Sequence, residues 1–456
     1  METLSIRDIA SALGTTCPVD GEVTEVCTDS RQITPGCLFV AIQGENFDGH
    51  DFIRSAIEQG AVCALAHHPG DYPEGKVLTV EDTKKALLDL SAWYRGQMSA
   101  RVVGITGSVG KTTTKEMTAA VLSSRFKTVK TQGNLNNEIG APKTLFSIER
   151  DTQAAVVEMG MSGLGEIRQL AQAAKPELGI ITNIGVAHME QLGSRENILK
   201  AKLELAECLP QGAPLLLCGD NDLLSGVVQP GLSKIFYGID NETADLRGTI
   251  KDSTPLSTSF TISWQGRDYP AAIPGAGKHL VLAALSAFGA GVFMGMDPEE
   301  AAEALSRYTP AGMRQKVVEC RGVTVIEDCY NASPDSMAAA LSTLGSFPCQ
   351  GRKIFVASDM LELGKITAES HRKVGEQAAA SGADTLLAYG EASREMIAGA
   401  KAAGMAEAYF YPDKPSLSAA LSQLVRPGDL VWFKASRSMK LEEAVEELYR
   451  SLEKRG

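Results

Sequence analysis

The chain has 456 residues, which at roughly 150 residues per domain predicts about three domains and a core that needs no disulfide bonds. Hydrophobic residues make up 44% and charged residues 22%, a globular composition that excludes a disordered or collagen-like chain. Lys and Arg total 44 against 56 Asp and Glu, and the net charge of -12 argues against binding nucleic acid or anionic lipid through bulk charge.

The cysteines and the N-terminal segment predict a protein of the reducing cytoplasm. Nine cysteines occur without any C-x-x-C pair, which predicts free thiols and no zinc site. The first residues, METLSIRDIASALG, contain acids and no apolar core, so we do not expect a secretory signal. The segment most similar to a membrane span, residues 280–296, has 17 residues and is predicted to be a buried helix. We therefore expect no membrane insertion.

Short β-rich runs alternate with helical patterns, which predicts an α/β fold with parallel sheets. In the first part of the chain, strands are predicted at 37–42, 61–66 and 76–80, and helices at 51–59 and 82–97. A joint follows at residues 99–100. The first domain is therefore predicted to span residues 1–98.

Two further blocks of alternating elements follow the joint. The second block contains predicted strands at 101–106, 127–130, 154–157, 179–182 and 214–218, an antiparallel insert around 260–266, and a long helix from residue 278. The third block contains predicted strands at 323–328, 353–358, 385–390 and 430–436. These blocks predict a central domain at 99–312 and a C-terminal domain at 313–456.

The segment ITGSVGKTTTK, residues 105–115, lies between a predicted strand and a predicted helix. In that context, exposed backbone N–H groups and a helix N-terminus can surround phosphate oxygens. Lys111 would reach the outer phosphates and Thr112 would bind Mg²⁺. A strict Walker pattern requires Gly where this chain has Ile105, so the loop has an offset spacing. The predicted nucleotide contacts are Gly107, Ser108, Val109, Gly110, Lys111, Thr112 and Thr113.

A Mg-ATP site needs a second anionic ligand, and Glu158 stands at the end of the apolar strand AAVV. Because ligands bind at the carboxyl ends of the strands in such sheets, we expect Glu158 to bind the metal rather than to cap a helix. His188 follows the next strand at the same edge. It could bind the metal or orient a phosphate, and a loop histidine held only by hydrogen bonds remains an equal alternative.

The loop TQGNLNNEIGAPKTL, residues 131–145, offers Asn134, Asn136 and Asn137 after another strand of the same sheet. Amide side chains can donate to carboxylate or phosphate oxygens, so these residues could bind a reacting carboxyl group. Ordinary polar turn chemistry is an equal alternative.

Three of these features together resemble the Mur ligase family, the ATP-dependent amide-forming enzymes of peptidoglycan synthesis. They are the offset loop T-G-x-x-G-K-T, the loop that contains Glu158, and the run TNIGVAHMEQLGSRENILKAKLEL at residues 182–205. The resemblance extends over all three blocks. It implies a central P-loop ATPase-like parallel sheet, flanked by an N-terminal α/β domain for a UDP-linked substrate and a C-terminal Rossmann-like domain.

The resemblance also implies roles for individual residues outside the phosphate loop. Lys202 matches the lysine that the family carbamylates, and the carbamate would face a second Mg²⁺ together with Glu158 and His188. Ser30 and Arg31 lie in a segment that resembles the uridine-nucleotide site. The residues that match third-domain contacts to the nucleotide are Arg314, Asp328, Tyr330 and Asn331.

Within the family, GNLNNEIG, EDCYNASPDSMAAAL and DMLELG resemble the branch that adds D-alanyl-D-alanine to a UDP-N-acetylmuramoyl tripeptide. That branch implies ATP and Mg²⁺ as cofactors, an acyl phosphate intermediate and a monomer. One departure is the segment after His279, which lacks the two Asn residues that usually contact adenine. The alternatives are a folylpolyglutamate synthase-like ligase and a P-loop ATPase switch that makes no bond.

Overall fold

The computed structural model describes residues 1–17, 19–310 and 312–454. The first domain is a four-stranded parallel sheet in the order β3-β4-β5-β6, with a short antiparallel pair β1-β2 beside it. Its elements are β1 Leu4–Ser5, α1 Ile6–Ala12, β2 Glu22–Val23, β3 Glu25–Cys27, β4 Cys37–Val40, α2 Ile53–Glu58, β5 Cys63–Ala66, β6 Val77–Thr79 and α3 Thr83–Arg95. The predicted strands and helices of this block are confirmed, because each predicted segment contains the observed element.

The central domain is built on a nine-stranded sheet in the order β15-β14-β13-β12-β11-β10-β7-β9-β8. Its first elements are β7 Arg101–Thr106, α4 Lys111–Ser123, β8 Thr128–Lys130, α5 Ala141–Phe146, β9 Ala154–Glu158, α6 Glu166–Ala174, β10 Leu178–Ile181, α7 Met189–Leu192 and α8 Arg195–Glu207. The remaining elements are β11 Pro214–Cys218, β12 Ser233–Gly238, β13 Leu246–Ser253, β14 Ser257–Trp264, β15 Arg267–Pro274, α9 Lys278–Phe293 and α10 Pro298–Ala304.

The predicted antiparallel insert is confirmed, and it extends the main sheet instead of forming a separate layer. Strand β12, which the sequence did not predict, pairs in parallel with both β11 and β13, and β14 and β15 then add in antiparallel fashion. The turn between β14 and β15 is formed by Gln265 and Gly266, both with positive φ, which matches the twist of a two-residue hairpin.

The third domain has a six-stranded sheet in the order β16-β17-β21-β18-β19-β20, in which only β16 runs antiparallel. Its elements are β16 Lys316–Cys320, β17 Val323–Asp328, α11 Pro334–Ser346, β18 Lys353–Ser358, α12 Thr367–Ala380, β19 Thr385–Tyr389, α13 Ser393–Ala402, β20 Ala408–Tyr411, α14 Lys414–Leu424, β21 Leu430–Lys434 and α15 Glu442–Lys454. Strands β16 and β20 were not predicted, because they are short edge strands with several exposed residues.

The apolar segment 280–296 forms most of α9, which packs against α4 directly behind the phosphate loop. Its prediction as a buried helix is confirmed, since most of its residues are inaccessible to solvent. Within the described parts of the chain, no helix is both long enough and apolar enough to cross a membrane.

The parallel sheet of the central domain brings several sequence-distant loops together. Strands β10, β7 and β9 are neighbours, and their register aligns Ile181 with Thr106 and Ile105 with Glu158. Their carboxyl ends therefore form one edge, at which the phosphate loop, Glu158 and the loop after β10 meet.

A buried arginine fixes the joint between the first and central domains. Arg95, in the last turn of α3, donates to the carbonyl oxygens of Ala174, Met98 and Ala100 at 3.1, 2.8 and 2.8 Å. Burial lowers the pKa of Arg95, and the negative charge of Glu177 opposes that shift. The guanidinium thus supplies buried hydrogen bonds to three carbonyl oxygens at the joint.

We expect Arg95→Met to lower the free energy of unfolding by about 2–4 kcal/mol, because three buried carbonyls lose a charged donor. Arg150→Met is the control, since the Arg150 side chain is 85% exposed, and it should change stability by less than about 0.5 kcal/mol. Denaturant unfolding of both variants measures the difference. Equal stabilities would contradict this role for Arg95.

Candidate active site

The phosphate loop follows β7 and is held open by the loop after β10. The Asn183 carbonyl accepts from the Ser108 N–H at 3.1 Å, and the Asn183 side-chain oxygen accepts from the Val109 N–H at 2.8 Å. The Thr182 hydroxyl donates to the Val109 carbonyl at 2.6 Å. Because these bonds fix the backbone from one side, the loop keeps its shape without a ligand. Asn183 is a site residue that the sequence analysis missed, although it directly follows a predicted strand.

Glycine is required at one position of this loop for a steric reason. Gly107 has a φ of 151°, and a Cβ atom built there would lie 1.9 Å from the Thr182 hydroxyl oxygen. Gly110 has a φ of 83° and caps the N-terminus of α4. The backbone can therefore come this close to Thr182 only because residue 107 has no side chain.

Lys111 starts α4 and turns back over its own loop. Its Nζ donates to the Gly107 carbonyl at 2.8 Å and to the Ser108 carbonyl at 3.2 Å. Burial lowers the pKa of Lys111, Glu158 opposes the shift and Arg314 adds to it. Thr112 follows in the first turn of the helix and is buried, and Thr113 lies beside Tyr308.

Glu158 is the buried carboxylate of the site, with only 1% of its surface exposed. Its Oε1 accepts from the Thr112 hydroxyl at 3.2 Å and from the Asn136 amide at 2.8 Å. Its Oε2 has no hydrogen-bond partner among the described residues. A buried carboxylate oxygen without a donor is costly unless a cation faces it, and Lys115 is a cation that does so.

Lys115 is the cation closest to that oxygen, and the sequence analysis did not assign it a role. Its Nζ lies 3.5 Å from Glu158 Oε2 and donates to the Gly133 carbonyl at 2.9 Å, and the side chain is completely buried. Lys115 lies one helical turn after Lys111, and this i, i+4 spacing is the signal that could have placed it on the same face of α4.

Lys202 lies in α8, and its side chain is inaccessible to solvent. Its Nζ has no hydrogen-bond partner within the described chain. Burial lowers the pKa of Lys202 far below the usual lysine value, Lys111 adds to the shift, and Glu166 and Glu204 oppose it. By its local pattern alone Lys202 would be a solvated surface lysine, and that interpretation is wrong because this face of α8 packs against the sheet.

His188 contacts the third domain. It has a left-handed backbone with a φ of 63°, and its Nδ1 lies 3.0 Å from Oε2 of Glu362. The hydrogen bond from His188 lowers the pKa of Glu362, although burial of that carboxyl opposes the shift. One nitrogen of His188 is thus occupied by a residue of the DMLELG motif, and Nε2 is the nitrogen left for another ligand.

The predicted third-domain contacts lie around the end of β17. The Arg314 guanidinium is 3.7 Å from the centroid of the Tyr330 ring, a cation–π arrangement. Asp328 Oδ2 accepts from Lys434 Nζ at 2.8 Å, and Lys434 also donates to the Asn331 carbonyl at 3.3 Å. Lys434 is a second residue without an assigned role, and its place in the K-A-S-R run after β21 was the available signal.

The structure does not bring all predicted substrate contacts to this site. Asn136 reaches Glu158, whereas the Asn137 side chain accepts from the Gly140 N–H at 2.9 Å and Asn134 is exposed. The hydrogen bond of the Asn137 side chain is therefore that of an ordinary polar turn.

Ser30 and Arg31 lie in the first domain, in the loop after β3. Arg31 is exposed and donates to both carboxylate oxygens of Asp29 at 2.9 and 2.8 Å. These bonds lower the pKa of Asp29 to about 2. Arg31 is thus held at the carboxyl edge of the first sheet.

A braced phosphate loop, a buried carboxylate beside it and a third domain that faces both are typical of an enzyme that uses ATP. Family models cover most of the chain: the Mur ligase family catalytic domain matches residues 22–95, the Mur ligase middle domain 105–291, and the glutamate ligase domain of Mur ligases 313–437. The chain belongs to the Mur ligase family and is an ATP-dependent ligase.

Individual relatives resemble the chain over nearly its whole length. A UDP-N-acetylmuramoyl-tripeptide--D-alanyl-D-alanine ligase of Bacillus subtilis is 39% identical over 93% of this chain and 93% of its own length. The crystal structure I of MurF from Acinetobacter baumannii has a TM-score of 0.92 at 28% identity and covers 99% of both chains. The MurF ligase of Thermotoga maritima in complex with ADP has a TM-score of 0.85 at 28% identity, over 95% of this chain and 98% of its own.

We expect Gly107→Ala to weaken ATP binding about 10- to 100-fold, because the new Cβ would displace Thr182 and strain the loop by about 1–3 kcal/mol. Gly226→Ala is the control, since a Cβ atom there meets nothing within 4 Å. Calorimetric titration with a non-hydrolysable ATP analogue measures both affinities. An unchanged affinity in Gly107→Ala would show that the loop does not depend on this close approach.

Proposed function

We propose that this enzyme joins D-alanyl-D-alanine to the C-terminal carboxylate of UDP-N-acetylmuramoyl-tripeptide, using ATP, to form the UDP-muramoyl pentapeptide of peptidoglycan synthesis. The observation that carries the proposal is the convergence of Lys111, Glu158 and Lys202 at one edge of the central sheet, in a chain with full-length relatives that bear this activity in their names.

The reaction requires that a poor electrophile be activated. In the proposed first step, a tripeptide carboxylate oxygen forms a bond to the γ-phosphorus of ATP, and ADP leaves. Lys111 and the amides of the phosphate loop disperse the charge on the transferred group. The neutral dipeptide amine then attacks the acyl carbon, and a tetrahedral intermediate forms. Phosphate leaves with the electrons of the C–O bond and takes up the proton that the amine nitrogen loses.

The donor set fits a divalent cation. Thr112 supplies a hydroxyl, Glu158 has one buried oxygen that makes no hydrogen bond and faces Lys115 at 3.5 Å, and His188 retains one ring nitrogen. We propose Mg²⁺ as the cation, because carboxylate and hydroxyl oxygens are the ligands that it prefers. When bound, Mg²⁺ supplies positive charge that neutralises the phosphate oxygens of ATP.

Lys202 would join this set as a carbamate. Burial lowers the pKa of its amine far below the usual lysine value, and the amine has no hydrogen-bond partner among the described residues, so both features favour reaction in the neutral form. Attack of the amine on CO₂ forms an N–C bond and releases one proton, and the product is an anion. The carbamate would replace the unpaired buried amine with an anion that a cation can bind. It would also add negative charge opposite Lys111.

The outer contacts are assigned by the same proposal. Arg314, Asp328, Tyr330 and Asn331 would bind the nucleotide, Ser30 and Arg31 the uridine part, and Asn134 and Asn136 the reacting carboxyl group. Water must be excluded from the acyl phosphate, and the contact between His188 and Glu362 supports closure of the third domain over the site.

The division of the chain is also part of the proposal. Three separate main sheets support domains at 1–98, 99–312 and 313–456. Residues 18, 311, 455 and 456 fall within these ranges but lie outside the described residues. A monomer is part of the same proposal. The nine free cysteines support the cytoplasm as the location.

We expect phosphate release from ATP to require both UDP-N-acetylmuramoyl-tripeptide and D-alanyl-D-alanine, because the amine attack completes the cycle. A coupled phosphate assay with each substrate omitted in turn tests this. Turnover with a folate and glutamate would favour the folylpolyglutamate synthase alternative. Release with neither substrate present would favour an ATPase switch.

We expect Lys202→Ala to lower kcat by about 100-fold or more, because the site loses its carbamate anion. Lys200→Ala is the matched control, since Lys200 is exposed on the same helix. Added acetate should restore part of the activity of folded Lys202→Ala. A heat-denatured sample of the same variant should regain none. Full activity in Lys202→Ala would refute the carbamate.

A further inference from the structure

Helix α4 carries two lysines on one face, and each of them donates to the backbone of a different loop. Lys111 Nζ donates to the Gly107 carbonyl of the phosphate loop at 2.8 Å. Lys115 lies one turn later, and its Nζ donates to the Gly133 carbonyl at 2.9 Å. Gly133 belongs to the segment 131–137, which follows β8 and which we call the asparagine loop because it contains three asparagines. The mechanism gives Lys111 a role and leaves Lys115 without one.

Lys115 is completely buried, although the loop that it contacts faces solvent. Residues 132–135 are all exposed, whereas the Lys115 side chain has no accessible surface. An ammonium group is costly to bury unless it is paired and hydrogen-bonded. If the asparagine loop moved away from α4, the Lys115 Nζ would lose its carbonyl acceptor. The position of an exposed loop is therefore linked to a buried charge.

Two carboxylates with little exposure hold the ammonium group of Lys115 in place. Its Nζ lies 3.2 Å from Glu116 Oε1 and 3.5 Å from Glu158 Oε2. Glu116 also forms an ion pair with Lys130, whose side chain is 35% exposed. Because the ammonium group is fixed by charges from α4 and β9, the Gly133 carbonyl is bonded to a donor that does not move with the loop.

Both ends of the asparagine loop are bonded to Glu158. At the start of the loop, the Thr131 hydroxyl accepts from the Glu158 N–H at 3.0 Å. At its end, the Asn136 amide donates to Glu158 Oε1 at 2.8 Å, and the Asn136 carbonyl accepts from the Gly160 N–H at 2.8 Å. Lys115 supplies the attachment between these two ends, on the buried side of the exposed residues.

We propose that Lys115 is a positioning residue, which fixes the asparagine loop relative to Glu158 so that the loop can bind the reacting carboxyl group of the acid substrate. This inference rests on the function proposed above, in which Asn134 and Asn136 bind that group. Phosphoryl transfer requires the carboxylate oxygen in line with the γ-phosphorus, and a displacement of about 1 Å can cost about 100-fold in rate. Helix α4 then serves both reactants: Lys111 acts on ATP, and Lys115 acts on the acid through the loop backbone.

Two variants break the bond between Lys115 and the loop from opposite sides. Lys115→Met removes the ammonium group and keeps an apolar chain of similar length. Gly133→Val changes an exposed residue with a φ of 53°, a conformation that β-branched residues rarely adopt, at a place where a Cβ atom meets nothing within 4 Å. It leaves every buried charge in place, so it tests the bond even where Lys115→Met does not fold. Lys130→Met is the control, since it removes the lysine on the outer side of Glu116.

The test combines steady-state kinetics on UDP-N-acetylmuramoyl-tripeptide with calorimetric titration of a non-hydrolysable ATP analogue in the absence of divalent cations. We expect each of the two variants to lower kcat/KM for the tripeptide about tenfold or more. The double variant should lose no more than the stronger single variant, because both changes break the same bond. The affinity for the ATP analogue should stay within about twofold of the parent, because the loop after β10 braces the phosphate loop independently. Lys130→Met should match the parent in both measurements.

Amide hydrogen exchange of the substrate-free protein gives a readout that does not depend on the reaction. Residues 132–137 should exchange faster in Lys115→Met and in Gly133→Val than in the parent, and residues 107–110 should not. If the parent itself fails to use the tripeptide, the proposed function is wrong, and the exchange result still tests the positioning role. Parental kcat/KM and parental loop exchange in both variants would overturn the inference. An equal loss of affinity for the ATP analogue would also overturn it, because that result indicates general damage to the site.

Discussion

The site depends on buried charge at the carboxyl edge of the central sheet. Glu158, Lys115 and Lys202 are almost completely buried, and Glu158 Oε2 and Lys202 Nζ have no hydrogen-bond partners within the described residues. Lys115 Nζ faces Glu158 Oε2 at 3.5 Å, whereas an unpaired buried amine such as that of Lys202 is costly in a folded protein unless something external completes it. Around these groups lie the phosphate loop, the loop after β10 and the contact to Glu362. A ligand bound there can therefore offset the cost of burying these groups.

The third domain meets the central domain through polar and apolar contacts. His188 meets Glu362, Gln315 Nε2 lies 2.9 Å from His279 Nε2, and Ala276 and Val186 pack with the apolar core of the third domain. Relative motion of two domains is the default expectation unless a large hydrophobic interface joins them. The chemistry proposed here needs such motion, because substrates must enter and water must later be excluded.

The sequence by itself determined the α/β class, most strands and helices, the phosphate loop and Glu158, because hydrophobic periodicity and glycine spacing are local signals. Only the tertiary structure decided which residues meet. The burial of Lys202 depends on how α8 packs, the roles of Lys115 and Lys434 depend on partners distant in sequence, and Asn137 was drawn into a turn while Asn136 reached Glu158. Burial and the distances between residues far apart in the chain are properties of packing, and no local pattern encodes them.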